Sequence, residues 1–145
     1  MIRRATSDDI APIMALARKL HEKIGNLPPI DEHGCRMLLA QALYNKRRLL
    51  LVAERDGVVT GFMFGLIEEY FFSKSHYASD VILHSTDGIS AAYLVRKFVR
   101  WAESMGVTNI QLGVSSGIAI DRADALYSRL GLTRVGSLYS RSSTK

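Results

Sequence analysis

Between Ala78 and Ser104 the residue types and their spacing suit the binding of an anion. Ala78-Ser-Asp-Val-Ile-Leu-His84 reads as a buried strand, Ser85-Thr-Asp-Gly88 as a tight turn, and Gly88 to Ser104 as an amphipathic helix. A glycine turn leading from a strand into a helix leaves backbone N–H groups unpaired at the helix start, where the helix dipole also favours negative charge. Such a turn can cradle phosphate, although most α/β domains contain one for purely structural reasons. Asp87 stands immediately before Gly88. Its carboxylate can cap the amides of Ile89 or Ser90, and would then compete with a phosphate for them.

Other reactive side chains offer less. Cys35 is the only cysteine, so no internal disulfide can form, and its apolar helical neighbours favour a packed residue over a nucleophile. His21, His33, His76 and His84 lack metal-ligand spacing, so no metal site is expected. The chain has 145 residues, 48% hydrophobic and 23% charged, which suits one globular domain spanning 1–145. No apolar run is long enough to span a membrane and the first residues lack a signal-peptide pattern, so a cytoplasmic protein without membrane association is expected. The net charge of +5 attracts polyanions. Its carriers, Arg3-Arg4, Lys46-Arg47-Arg48, Arg96-Lys97 and Arg100, are scattered and lack interleaved aromatics, so they read as solvated surface and nucleic acid is not expected as a partner.

The elements that would position the turn follow from periodicity and punctuation. Ile2 to Arg4 suits a short strand, and Thr6 or Ser7 can cap a helix with Asp8 and Asp9 in its first turn and Ile10, Ile13, Met14, Ala17, Leu20 and Ile24 as its apolar stripe. Gly25-Asn26 and Pro28-Pro29 end it. Asp31 can cap a second helix that buries Cys35, Leu38, Leu39, Ala42 and Leu43. Leu49 to Arg55 and Val58 to Glu69 form a hairpin around Asp56-Gly57, with Gly61 and Gly65 marking a bulge or a close backbone approach. After the central strand and helix come a strand at Asn109 to Val114, a helix at Asp121 to Leu130 stopped by Gly131, and a last strand at Thr133 to Arg141. The predicted order βααβββαβαβ is an α/β fold with a mixed sheet and helices on its faces.

That order, the chain length and two local patterns resemble the GNAT superfamily of acyl-coenzyme A N-acyltransferases across nearly the whole chain. The family's Q/R-x-x-G-x-G/A turn corresponds to Ser85-Thr-Asp-Gly88-Ile-Ser90, with Ser85 in place of Gln or Arg and Ser90 in place of the second small residue. The late A-x-x-x-Y-x-x-x-G-F pattern corresponds to Ala123-Asp-Ala-Leu-Tyr127-Ser-Arg-Leu-Gly131-Leu132, with Leu132 in place of Phe.

The resemblance implies a three-layer αβα fold with a central, mostly antiparallel sheet. It also implies N-acetyl transfer from acetyl-CoA, as co-substrate, to an amine of a small molecule or of a peptide or protein. It assigns the backbone of Ile82, Leu83 and His84 to pantetheine and thioester carbonyl, the amides of Gly88, Ile89, Ser90 and Ala91 to pyrophosphate with Asp87 beside them, and Tyr127 to protonation of the departing sulfur. On packing alone Tyr127 is an aromatic on the buried face of its helix. Deprotonating an ammonium nucleophile needs a base, and Asp80, Glu68 and Glu69 are the candidates, each with a structural alternative. His84 shares the face of Asp80 and Ile82 by period two and is a weaker candidate. A homodimer is compatible with the fold. The competing function is a catalytically weak or inactive module of the same fold that binds a protein or nucleic-acid partner.

Overall fold

The chain is represented by a computed structural model that describes residues 1–114 and 119–141. Strands β1 (Ile2–Arg4), β2 (Arg48–Arg55), β3 (Val58–Glu69), β4 (His76–Ser85) and β5 (Asn109–Gln111) form one sheet in that spatial order. All neighbours are antiparallel except β4 and β5, which run parallel. Helices α1 (Ile10–Ile24) and α2 (Glu32–Ala42) cover one face and α3 (Gly88–Ser104) the other, while α4 (Ile120–Arg129) follows β5. The expected three-layer α/β architecture is observed. Among the described residues no helix is long and apolar enough to cross a membrane.

Alternation along the strands divides the core. Leu49, Leu51 and Met63 face α3 and pack with Leu94, Val95, Phe98 and Trp101, whereas Leu50, Val52, Phe62 and Phe64 face α1 and α2 and pack with Ile13, Met14 and Leu39. Cys35 packs, partly buried, beside the second group. Local signals match their elements. Asp56 (φ 52°) and Gly57 (φ 78°) make the hairpin turn in the left-handed conformations that match strand twist. The Asp31 carboxylate accepts from Gly34 N at 2.9 Å and caps α2.

Asp9 has a role its position in a predicted first turn did not suggest. It closes a single 3₁₀ turn before α1, is buried, accepts two hydrogen bonds from the Arg3 guanidinium at 2.7 and 3.0 Å and one from Thr6 N at 2.7 Å. The guanidinium holds this carboxyl below its ordinary value. Its stabilising contribution is therefore present above the unfolded-state value of 3.8 and lost as pH falls through the folded one.

Three expectations need correction. Leu38, expected on the buried side of α2, is 51% exposed. The strand beginning at Asn109 ends at Gln111 rather than Val114. Thr133 to Arg141 forms no strand: by period two Val135 and Tyr139 would share one face and Leu138 the other, and the three are 92%, 90% and 72% exposed. Alternation specifies a strand only where a neighbouring strand and a face to bury exist.

Both suspected glycines lie at bulges. The β3–β4 register steps from Phe64↔Ile82 to Gly65↔Asp80, leaving Val81 as the extra residue on β4. A Cβ on Gly65 would overlap the ring of Phe98, which is fully buried. Gly65→Ala is expected to cost about 1–3 kcal/mol through overpacking, measured by urea denaturation. An unchanged midpoint would mean that Phe98 can retreat freely.

Candidate active site

The bulge at Val81 resets the alternation of β4. Ala78 and Leu83 both pack against the α3 side, although five residues apart, and Ile82 packs on the α1 side. No register shift separates Ala78 from Asp80, so Asp80 shares the α3-side face. His84 lies on the other, its ring 6.4 Å from that of Phe62. The period-two expectation that Asp80, Ile82 and His84 share a face is thus overturned by one inserted residue. Burial, aided by the charge of Lys23, lowers the His84 pKa.

The same strand loses one partner midway. β4 and β5 pair only at Tyr77↔Asn109, Ala78↔Ile110 and Ser79↔Gln111. Among the described residues β4 from Asp80 to Ser85 is paired through β3 alone, so the chains part in a split that opens toward the start of α3. At its apex Asp80 Oδ1 accepts from Gly113 N at 3.1 Å, and the Tyr127 hydroxyl lies 3.5 Å from Gly113 O, a long contact it can donate across. Asp80 and Tyr127, 47 positions apart in the sequence, thus bracket one peptide residue.

Their electrostatics follow from that setting. Burial raises the Asp80 pKa, opposed in part by the Gly113 N–H. Burial also pushes the Tyr127 phenol up to about 12, with the negative charge of Asp80 adding to the shift. The ring of Tyr127 packs against the α3-side core. Tyr127 is therefore neutral at physiological pH, and Asp80 is more basic than an ordinary carboxylate.

Glu68 and Glu69 are elsewhere. They oppose Tyr77 and His76 at the far end of the β3–β4 hairpin, three rungs or about 10 Å from the Gly65↔Asp80 rung. Glu68 Oε2 accepts from the Tyr77 hydroxyl at 3.0 Å, which raises the Tyr77 pKa. The structure does not bring this pair to Asp80 and Tyr127.

The turn into α3 is closed on itself. Asp87 caps the helix, accepting from Ser90 N at 2.6 Å and from Ser90 Oγ at 3.0 Å. Ser85 Oγ donates to Asp87 O at 2.7 Å and accepts from Asp87 N at 3.2 Å, and Ala91 N donates to Asp87 O at 3.3 Å. The bond from Ser90 N, with that from Ser90 Oγ and the charge of Arg55, lowers the Asp87 pKa. A Cβ on Gly88 would meet nothing within 4 Å, so packing within the chain does not require glycine there. Ile89 is exposed and Ala91 half-buried. Sequence reasoning anticipated the Asp87 cap, and it named Asp80 and Tyr127 without the contact that joins them through Gly113. It missed Gly113, whose only local signal was a glycine at the end of a strand-like run.

No protein-family model and no curated protein matches the chain. Solved structures do. A transcriptional regulator from Bacillus halodurans superposes with a TM-score of 0.79 at 18% identity, covering 98% of each chain. A predicted acetyltransferase from Clostridium acetobutylicum, determined with acetyl-CoA, superposes at 0.76 with 15% identity, covering 98% of this chain and 95% of that one. An aminoglycoside 6′-N-acetyltransferase from Acinetobacter haemolyticus superposes at 0.74 with 18% identity, covering 100% and 99%. The chain therefore has an acetyltransferase-type α/β fold. The fold agrees with the one that the resemblance to the GNAT superfamily implies.

Proposed function

We propose that the protein is an N-acetyltransferase that moves an acetyl group from acetyl-CoA to an amine of a small molecule or peptide, using Asp80 as base and Tyr127 as acid. The observation that carries this reading is the meeting of these two side chains around Gly113, where the β4–β5 ladder ends. The split suits a narrow extended arm, because the open edge of β4 from Ile82 to His84 can offer backbone hydrogen bonds to it. The turn suits a diphosphate less well, because Asp87 already occupies the Ser90 amide.

Acetyl-CoA, when bound, would supply an activated acetyl thioester. Around it the chain has three tasks. Amides on the open edge of β4 donate to the carbonyl oxygen and stabilise the charge that grows there. Asp80, basic through burial, takes the proton of the incoming ammonium directly or through one water. The Tyr127 hydroxyl donates to the departing sulfur. A cationic acceptor is favoured by the charge of Asp80, in keeping with the aminoglycoside enzyme among the structural neighbours.

Isothermal calorimetry with acetyl-CoA tests this reading. Micromolar affinity is expected, and no heat at millimolar ligand would overturn it. The self-capped turn favours one alternative, a module of this fold that has given up the cofactor and serves a macromolecular partner. The same turn makes a separate prediction. Asp87→Asn keeps a cap oxygen and removes a charge beside the diphosphate, so acetyl-CoA is expected to bind roughly threefold to tenfold more tightly at low salt, with a smaller gain at high salt. Equal affinity at every salt concentration would place the diphosphate away from this turn.

A further inference from the structure

On the flank of α3 away from β5 lies an open groove of about 710 Å³ between the helix and the edge strand β1. Basic residues that are scattered in the sequence converge there. Arg96, Lys97 and Arg100 come from one face of α3, Arg4 from β1 and Arg55 from the end of β2, giving five cations in the lining. Among the described residues Glu54 is the one acid in that lining, and its carboxylate is held by Arg3 at 2.9 Å. Five cations against one acid give the groove +4 of the chain's formal +5, so charge is gathered in one place rather than spread as a solvating coat. Lys97 Nζ donates to Ile2 O at 3.3 Å, tying helix to strand without a carboxylate. None of the five cations belongs to an ion pair among the described residues.

The groove also has an aromatic wall. Tyr93 is 52% exposed on the same helical face, with the Arg96 guanidinium 5.7 Å from its ring centre. A half-exposed ring beside a guanidinium is a platform on which a base can stack. From Ile89 to Ser104 the α3 wall runs about 22 Å, long enough for several phosphates of an extended strand. A compact di- or triphosphate would use only part of this row.

We propose that this groove binds a single-stranded nucleic acid, its phosphates along Arg4, Arg55, Arg96, Lys97 and Arg100 and a base against Tyr93. The groove reaches Ile89 and Ser90 at the start of α3, but its five cations line the flank of α3 away from the split between β4 and β5, and the proposal stands whether or not that split takes a thioester.

Fluorescence anisotropy with labelled 15-nucleotide oligo(dT) and oligo(U) tests it on the full chain. Binding is expected in 50 mM salt, with log affinity falling against log salt at a slope of about −2 to −3, as three to four neutralised phosphates require. Arg96→Glu with Arg100→Glu should lower affinity at least about tenfold, and Arg36→Glu, exposed on α2 across the sheet, should leave it unchanged. Tyr93→Ala should weaken oligo(dT) while sparing inorganic polyphosphate. Circular dichroism confirms that each variant is folded, and Arg4→Gln with Arg55→Gln replaces the reversal pair if that pair unfolds. The proposal is overturned by no binding at low salt, by equal losses at Arg36 and in the groove, by tighter binding of duplex, or by full displacement with ATP at matched phosphate concentration.

Discussion

Tyr127→Phe is expected to lower turnover by about tenfold or more while leaving the melting temperature and acetyl-CoA affinity nearly unchanged. The ring packs against the α3-side core and remains in the variant, and among the described residues the hydroxyl makes one contact, the long one to Gly113 O. Little folding energy is therefore lost with the oxygen. The pKa of about 12 lies well above the ~8.5 of an ordinary thiol, so full proton transfer to a solvated thiolate would be uphill. Hydrogen-bond donation to the sulfur as charge develops is downhill, and desolvation of the thiolate in the same cleft narrows the gap. Because the native state keeps this proton longer than the unfolded chain, stability should fall between pH 10 and about 12 in the parent and not in the variant. Unchanged turnover in steady-state assays would return Tyr127 to a packing role.

Asp80→Asn is expected to move activity and stability in opposite directions. Loss of the base should cost about 100-fold or more in turnover. Asn can still accept from Gly113 N, and it removes a carboxylate whose raised pKa reports a native-state penalty for its charge. For a raised carboxyl the native state binds the proton more tightly, so parental stability declines as pH rises from 3.8 through the folded value, and the deficit persists above it. The variant should thus melt higher at pH 7, and the difference should vanish below about pH 3.8. An Asp80 that only stitched β4 to Gly113 would keep that bond as Asn and leave turnover nearly unchanged. Thermal melts and initial rates on the same preparation separate the two.

Much of the scaffold was legible because its signals are local. The α3 boundaries, the Asp56-Gly57 hairpin and the Asp31 and Asp87 caps each depend on a few adjacent residues whose preferences agree with the fold. The site was legible only in part. Asp80 and Tyr127 could be named by type and resemblance, but their meeting depends on where β4 and β5 stop pairing, which is set by contacts distant in sequence. The Val81 bulge was hidden because it arises on β4 from a register step opposite Gly65, where the bare backbone lies against Phe98. One extra residue then moved His84 to the opposite face. The reverse failure occurred at Thr133 to Arg141, where a good local pattern had no neighbour to pair with. The basic groove escaped for the same reason as the active-site meeting: Arg4, Arg55 and Arg96 become neighbours only after the sheet has formed.

Hydrogen exchange measured by mass spectrometry, with and without saturating acetyl-CoA, tests most directly whether the split between β4 and β5 is the thioester site. Amides on the open edge of β4 from Ile82 to Ser85 exchange with solvent unless a ligand covers or pairs them, and a ligand in the split would also cover the Gly113 amide that donates to Asp80. The predicted result is slowed exchange in peptides spanning 80–91 and 109–114, with peptides from β1 and the middle of α3 unchanged. Protection confined to β1 and α3, or none at saturation, would contradict the assignment of this site.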